Sequence, residues 1–298
     1  MKGSVSIVKA DSRQEGIWNA LELIRNEIEV KMRNRKKILV KPNFVSVKVM
    51  LSATPVEAVD VLLSYLYENF SPSEVIMAES PADGTLWDAL KNYDYIKLKE
   101  KYPIEFIYLD EDEFETIEVF NSKGEKFNIR LAKIALNENL FKISICRPKT
   151  HDTVIVTLTI KNMSMGVIPR REKPLMHQGY HYINLNIAKV AAKVMPDLGV
   201  IDGLEGMQGN GPVHGEPIKW GAFLASTNPL HLDSLTAYMM GFNPQDIGYL
   251  HYLHKWGYGE INPTKIPWKG ENPEKLKAEF KPHKTYHKQL KWETNLII

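Results

Sequence analysis

The 298-residue sequence contains one cysteine, Cys146, and this scarcity excludes several kinds of site. A single thiol cannot form an internal disulfide, a four-thiolate zinc site or an iron–sulfur cluster. No run approaches the roughly 18–20 apolar residues that span a bilayer, and residues 1–10 lack the apolar core of a signal peptide. We therefore expect a cytoplasmic protein with no membrane partner.

A strong net charge is also absent. The formal net charge is +2, with 44% hydrophobic and 25% charged residues, which is the balance of an ordinary folded protein. Proteins that bind the phosphate backbone are usually much more basic, so we do not expect a nucleic-acid partner. The alternative of a nucleic-acid-modifying protein would need a local basic stripe from Arg170, Arg171, Lys173 and the C-terminal tail.

Short runs of Val, Ile and Leu alternate along the chain with segments of helical spacing. This alternation predicts an α/β fold of mainly parallel sheets with helices on both faces, because parallel strands need a crossover connection. The predicted strands are residues 5–8, 38–40, 75–78, 104–109, 140–146, 198–201 and 223–225. The predicted helices are residues 14–31, 55–68, 182–194 and 229–240. Residues 114–129 alternate apolar and polar side chains, which predicts an antiparallel hairpin or an edge excursion.

The length lies between one large domain and two modest ones. We expect two lobes around a cleft: an N-terminal α/β lobe (1–147), and a second α/β lobe (148–250) that carries the Lys/His and glycine-rich loops. Residues 251–298 are rich in Pro, Lys, His and aromatic residues, and we expect them to form a C-terminal extension. This extension would pack on a lobe or on a partner, either another protein or a second copy; a solvated, partly ordered tail is the alternative.

Ionisable side chains follow five of the predicted strands. In an open α/β sheet, ligands bind beyond the carboxyl ends of the strands. Charges at strand ends also occur for solubility alone, but five together favour a common site. The residues are Lys41 with Asn43 nearby, Glu79, Asp110, Lys149 with His151, and Asp202.

The segment from Lys149 to His151 is the sharpest single feature. Pro148 fixes the backbone before a lysine and a histidine that leave a buried strand. Lysine would hold an anion, and histidine is the side chain most easily used as a general acid or base near neutral pH. Lys161 and Asn162 follow and add a second cation and an amide. The alternative is a surface loop with one capped histidine.

Two further histidines stand four residues apart, His177 and His181, a spacing that can place two imidazoles on one helix face for zinc. Gly179 weakens a helix between them, and no glutamate follows His177, so the metalloprotease pattern is incomplete. We therefore favour His177 as a single catalytic histidine beside Lys149 and His151.

Residues 206–215 form a glycine-rich loop after a predicted strand, and Gly209, Gly211 and His214 are its candidate anion-binding residues. Backbone N–H groups of such loops can close on a phosphate or carboxylate. No Lys-Ser or Lys-Thr pair completes a nucleotide P-loop, and no dinucleotide motif follows. A tight turn that needs glycine backbone angles is the alternative.

Three carboxylates, Glu79, Asp202 and Asp233, are acceptable ligands for a divalent cation but show no short ligand spacing. We therefore expect no structural zinc site, and either no metal or a weakly bound divalent metal. Any other cofactor is unknown from the sequence.

An ordered series of motifs resembles the prokaryotic family of proteins of unknown function numbered 362. The motifs are Lys41-Pro42-Asn43, Glu79, Pro148-Lys149-Thr150-His151, Lys161-Asn162 with Gly166, His177, Asp202-Gly203, Gly211-Pro212 with Gly215, and residues 226–233. The resemblance implies a shared site but no reaction. Many such relatives carry ferredoxin-type four-cysteine modules and are associated with iron–sulfur clusters; this chain lacks the cluster cysteines. The two-lobed layout is also similar to the nickel-pincer lactate racemase group.

These observations favour an enzyme that acts on a small anionic metabolite by Lys/His chemistry in a cleft between lobes. Lys41, Lys149 and Lys161 would hold the anion, and His151 and His177 would move protons. Three alternatives stay open: a non-catalytic ligand-binding or redox-partner module, a metal-assisted enzyme resembling a racemase or a hydrolase, and a nucleic-acid-modifying protein.

Overall fold

Runs of aliphatic residues form an eight-stranded central sheet in the computed structural model, which describes residues 3–295. The strands are β1 (Val5–Lys9), β2 (Lys37–Lys41), β3 (Glu74–Glu79), β4 (Ile104–Tyr108), β5 (Phe114–Phe120), β6 (Lys126–Ala132), β7 (Leu140–Cys146), β8 (Lys149–His151), β9 (Ile155–Thr157), β10 (Leu198–Ile201), β11 (Glu205–Gln208), β12 (Glu216–Lys219), β13 (Ala222–Ser226) and β14 (Trp268–Gly270).

The central sheet has the order β14-β1-β13-β10-β7-β2-β3-β4. β13 pairs antiparallel with both β1 and β10, and the other neighbours in the sheet pair parallel. The prediction of a mainly parallel α/β fold is therefore confirmed. A smaller sheet has the order β12-β11-β8-β9, and β5 and β6 form the separate antiparallel hairpin that the alternation in residues 114–129 predicts.

Helices cover both faces of the central sheet. They are α1 (Arg13–Leu23), α2 (Arg25–Met32), α3 (Val56–Phe70), α4 (Leu86–Asn92), α5 (Leu98–Lys101), α6 (Thr159–Gly166), α7 (Gly179–Val194), α8 (Pro229–Met239), α9 (Gly248–Lys255) and α10 (Tyr286–Gln289). Because strand side chains alternate between faces, Ile38 and Val40 join one apolar core with α1–α4, whereas Leu39 joins a second core with α6–α9.

One predicted helix is wrong in its extent. Residues 14–31 form two helices, because Ile24 leaves the helical backbone conformation with a φ of −117° and a ψ of 15°. Ile24 is fully buried, so the break between α1 and α2 lies in the apolar core. Ser12 begins α1, where its side chain accepts the Glu15 N–H at 3.2 Å.

The two-lobe arrangement is not confirmed. The central sheet takes strands from each of the three predicted segments, 1–147, 148–250 and 251–298, and β14 of the C-terminal extension pairs with β1 of this same chain. The domain boundaries stay a prediction. Across residues 3–295, no helix combines the length and the apolar character needed to cross a membrane.

Candidate functional site

Several of the predicted residues lie at the carboxyl edge of the central sheet. The parallel strands β2, β3, β7 and β10 end at Lys41, Glu79, Cys146 and Ile201, and register pairs Lys41 with Ser144 and Ile201 with Cys146. Parallel neighbours present their carboxyl ends at the same edge. The side chains that follow these strands therefore share one edge of the molecule.

A buried ion pair forms the base of this edge. The Lys41 ammonium donates to Glu79 Oε2 at 2.6 Å, to Asn162 Oδ1 at 2.6 Å and to the Pro42 carbonyl at 3.0 Å, which uses all three of its protons. Burial lowers the pKa of Lys41 and raises the pKa of Glu79, while their mutual attraction opposes both shifts. A Cβ on Gly166 would lie 1.8 Å from Lys41 Cε, so this close approach requires glycine.

A cavity of about 190 Å³ lies above this ion pair, and we call it the strand-end cavity. The cavity is lined by residues from the ends of β3, β8 and β9, from α6 and from the segment after α6. Its lining is Asn43, Phe44, Val45, Glu79, Ser80, Ala82, His151, Asp152, Thr157, Lys161, Asn162, Met165, Gly166, Lys173, His177 and Pro212.

Three polar groups of the strand-end cavity have no hydrogen-bond partner among the residues that the structure describes: the Lys161 ammonium, the Thr157 hydroxyl and the Oδ1 atom of Asp152. Lys161, on α6, is 7% exposed, and its ammonium makes neither a hydrogen bond nor an ion pair there. Burial lowers its pKa to about 8, with Asp152 opposing and Lys41 adding to the shift. The Thr157 hydroxyl, at the end of β9, is buried and also unpaired. Buried polar groups are nearly always paired, so the buried Thr157 hydroxyl and the largely desolvated Lys161 ammonium, both donors, point to a ligand that supplies acceptors.

A further lysine faces the same cavity. Lys173 lies in a 3₁₀ segment, Arg170–Met176, and donates to the Met165 carbonyl at 2.6 Å, which leaves two ammonium protons free of that bond. Burial lowers its pKa to about 7; Glu79 opposes this shift and Lys41 adds to it. Lys173 is 8% exposed, so it contributes little surface charge to the basic stripe that the nucleic-acid alternative needs.

His151 enters the cavity from β8 as an uncharged ring. Burial lowers its pKa to about 3, and the nearby Lys161 adds to the shift. The Thr153 N–H donates to His151 Nδ1 at 3.1 Å, which leaves the ring proton on Nε2. Asp152 Oδ1 lies 3.0 Å from the same Nδ1. A proton that reached Nδ1 would therefore find a carboxylate beside it.

The C-terminal tail holds the turn between β8 and β9. Gln289, 1% exposed, accepts the Ile155 N–H at 2.5 Å and donates to the His151 carbonyl at 2.9 Å. Thr285 donates to the Asp152 carbonyl at 2.7 Å. Ile155 has a φ of 67°, the left-handed region that β-branched residues rarely adopt. The turn that presents His151 and Asp152 is thus held by residues 285–289.

Of the other predicted catalytic residues, His177 lines the cavity at its exposed rim, whereas Lys149 does not line it. Desolvation and the charge of Lys161 lower the pKa of His177. The Lys149 ammonium, fully buried, donates to Asn43 Oδ1 at 2.5 Å and to the Arg147 carbonyl at 3.3 Å. Burial lowers its pKa to about 7. Lys149 therefore holds the side chain of Asn43, a lining residue, without lining the cavity itself.

The carboxylates of Asp202 and Asp233 are occupied elsewhere. Asp202 accepts from Arg13 Nε at 2.8 Å. Asp233, on α8, accepts the Thr159 N–H at 3.0 Å and the Ile160 N–H at 2.8 Å, and so caps the N-terminus of α6. Burial raises the pKa of Asp233 to about 7, although these hydrogen bonds oppose the shift. Both aspartates thus support elements around the cavity without lining it.

These positions bear on the metal prediction. Within residues 3–295, no group of three or more His, Cys, Asp and Glu side chains could hold a metal ion. Glu79, Asp202 and Asp233 each have a different set of partners. The expectation of a weakly bound divalent metal stays a prediction.

The residues of the glycine-rich loop do not share one site: some line a separate surface groove, and Pro212 lines the strand-end cavity. Gly209 and His214 line a separate surface groove of about 240 Å³ together with Lys281. A Cβ on Gly211 would lie 2.2 Å from the Thr150 carbonyl oxygen, so this glycine permits close packing against β8. Pro212, the next residue, is the part of the loop that reaches the strand-end cavity.

Sequence reasoning missed several residues of the site. Lys173, Thr157 and Asp152 line the cavity, and Gln289 supports it from the tail. The basic run containing Lys173 is visible in the sequence, but nothing in its spacing predicts that this lysine lines the cavity and is buried. Gln289 is more than a hundred residues from the turn that it holds, and no local pattern links the two.

A larger cavity, about 770 Å³, lies at the other edge of the sheet. It is lined in part by Gly3, before β1, and by Thr227, after the antiparallel β13. Its lysine, Lys31, already donates to the Thr227 carbonyl at 2.9 Å. Ionisable groups do not converge there as they do in the strand-end cavity, which we therefore take as the candidate site.

Comparison with known proteins gives one family match. Residues 38–238 match the family model described as "Domain of unknown function (DUF362)". A thylakoid-associated protein from Synechocystis sp. is 26% identical over 193 residues, which cover 63% of this chain and 57% of that protein. The chain therefore spans less than two thirds of this relative.

Two solved structures are similar in fold. The lactate racemase apoprotein from Thermoanaerobacterium thermosaccharolyticum aligns with a TM-score of 0.54 at 14% identity, covering 82% of this chain and 58% of that one. A protein from Thermotoga maritima aligns with a TM-score of 0.39 at 12% identity, covering 65% and 51%. At this identity the first likeness shows the α/β fold alone.

Proposed function

This chain belongs to the DUF362 family, and we propose that it is an enzyme that binds a small anionic metabolite, a carboxylate or a phosphate ester, in the strand-end cavity. The observation that carries the proposal is the buried Lys161 ammonium, which has no hydrogen-bond or ion-pair partner among the described residues. An unpaired buried charge is costly, and an anion in the cavity would supply the missing partner.

Three other groups around the cavity fit the same kind of ligand, while the carboxylates of Glu79 and Asp152 also line it. Lys173 has free ammonium protons, Thr157 has an unpaired hydroxyl, and His151 presents a ring N–H. All of these donate hydrogen bonds, so they suit the several acceptor oxygens of a carboxylate or phosphate. Lys41, with its protons already used, would act through its charge and by holding Glu79 in place.

Size restricts the ligand further. The volume of about 190 Å³ suits a small organic acid. The solved lactate racemase apoprotein is named for a substrate of this small size and charge. That name supports the size class only.

Proton transfer would fall to His151. Its uncharged ring donates a hydrogen bond from Nε2, and it would take up a proton at Nδ1 once the Thr153 N–H is released, where Asp152 would stabilise the resulting imidazolium. His177 at the rim is the second candidate for this role. A non-catalytic binding module would use the same lysines, so turnover of the bound compound separates the two functions.

The test is isothermal titration of the full chain with inorganic phosphate and a panel of small carboxylates at low ionic strength. Lys161→Met should weaken binding strongly because it removes the unpaired cation, while Lys173 and Thr157 remain. The matched control is Lys142→Met: Lys142 is equally buried, at 7% exposed, but lies on β7 away from the cavity and donates to the Ala135 carbonyl. Equal affinity in wild type and Lys161→Met would refute the proposal.

A further inference from the structure

We propose that Lys161 is also an amine nucleophile, which forms an imine with the carbonyl carbon of a small oxo acid bound in the strand-end cavity. This inference rests on the proposed function, because the acid group of the ligand must first be held there. It adds a reaction and a narrower substrate class, an acid that carries an aldehyde or ketone group.

The four lysines of this edge differ in their hydrogen bonds. Lys41 uses all three ammonium protons, and Lys149 donates twice and does not line the cavity. Lys173 donates to the Met165 carbonyl, which holds its ammonium in one place. Lys161 lines the cavity and makes no hydrogen bond among the described residues, so its nitrogen is free to approach a ligand.

An amine attacks only when it is uncharged, and its surroundings favour that form. Lysines become nucleophiles when they are desolvated or lie beside other cations. Lys161 is 93% removed from solvent, being 7% exposed, and Lys41 and Lys173 lie close enough to repel its charge. With a pKa of about 8, roughly a quarter of the amine is uncharged at pH 7.5.

The remaining groups supply the other requirements of the reaction. The acid group of the ligand would be held by Lys173 and Thr157, which leaves the carbonyl carbon for Lys161. The amine nitrogen forms a bond to that carbon, and one amine proton moves to the carbonyl oxygen. The carbon–oxygen bond then breaks, and the second amine proton leaves with the oxygen as water. We assign these proton transfers to His151, which lies close enough to Lys161 for their charges to interact.

The experiment traps the imine by reduction. The full chain is incubated with pyruvate or glyoxylate and cyanoborohydride, and the modified lysine is located by peptide mass spectrometry. Acetone serves as a ketone without an acid group. We expect one adduct at Lys161 with the oxo acids and none with acetone. Inorganic phosphate, which would occupy the same cavity, should protect Lys161 in the wild-type protein, a measurement that needs no variant.

Lys161→Arg tests the assignment because it keeps the charge and removes the amine chemistry. It should lose the adduct while binding of inorganic phosphate is retained; Lys142→Arg should keep the adduct. Labelling spread over surface lysines, equal in wild type and Lys161→Arg, would overturn the imine. If pyruvate binds by titration but leaves no adduct, the imine fails and the proposed function stands. If neither phosphate nor any carboxylate binds, both fail.

Discussion

Gln289 joins the C-terminal tail to the turn that presents His151, and its substitution makes the most direct test of this arrangement. Gln289→Met keeps the length and the unbranched shape of the side chain but removes the amide. The Ile155 N–H then loses its 2.5 Å acceptor, and the His151 carbonyl loses its 2.9 Å donor. Both groups lie in buried residues.

The expected size of the effect follows from these two groups. Leaving a buried donor or acceptor unpaired costs about 1–3 kcal/mol, so the loss of two such pairings should lower the free energy of unfolding by about 2–6 kcal/mol if the turn keeps its shape. The turn can also relax, because Ile155 is held at a φ of 67° that is itself unfavourable by about 1–3 kcal/mol. Relaxation would reduce the loss of stability but move His151 and Asp152.

Urea unfolding followed by tryptophan fluorescence measures the loss of stability. Phosphate titration measures the effect of a displaced His151 and Asp152 on anion binding. Trp292, buried in the same tail, makes fluorescence sensitive to its release. Gln245→Leu in an exposed turn is the control and should change stability by no more than about 0.5 kcal/mol. A Gln289→Met protein with both the stability and the phosphate affinity of wild type would refute the idea that the tail holds this turn.

Three further predictions follow from the same geometry. Gly166→Ala should destabilise the protein by about 1–3 kcal/mol in chemical unfolding, because the new methyl group would lie 1.8 Å from Lys41 Cε; an unchanged midpoint would contradict the close approach. Asp233→Asn should lower stability by about 1–3 kcal/mol, since it places an amide donor among the backbone N–H groups that begin α6. Affinity for an anion should fall as the pH rises through about 7 to 8, where Lys173 and Lys161 lose their protons; flat titration results from pH 6 to 9 would argue against them as the anchors.

The central sheet could be predicted because its strands carry their own local signal. Residues 140–146 and 198–201 are mostly apolar runs, interrupted by Lys142, Ser144 and Gly199, and the structure begins and ends β7 and β10 at these same residues. Strands buried on both faces need such runs whatever their neighbours are. The direction of β13 could not be predicted in this way, because an apolar run looks the same in a parallel and an antiparallel strand.

The small sheet gave a much weaker signal. β8 and β9 have three residues each, and β9 begins at Ile155 with a backbone conformation that its side chain disfavours. A tertiary contact, the amide of Gln289, compensates for this local preference. Local propensity cannot reveal an element whose stability comes from a distant part of the chain.

The candidate site was predictable in its chemistry more than in its geometry. The rule that ligands bind beyond parallel strand ends predicts Lys41, Glu79 and His151 as site residues. The structure places all three at the carboxyl edge of the central sheet. The same rule also selected Asp202, which pairs with Arg13 outside the cavity. Sequence position fixes the edge on which a side chain lies; packing decides whether it faces the ligand or supports a neighbour.

The residues that line the cavity and the residues that support it differ in their position relative to the family match. The cavity lysines and His151 lie inside the matched region, residues 38–238, whereas Thr285 and Gln289 lie beyond it. The charges that would bind an anion and the backbone contacts that orient the histidine therefore come from different parts of the chain. A change in the tail should alter the position of His151, and with it both proton transfer and the hydrogen bond that its ring N–H would donate to an anion, while Lys161 and Lys173 keep their charge.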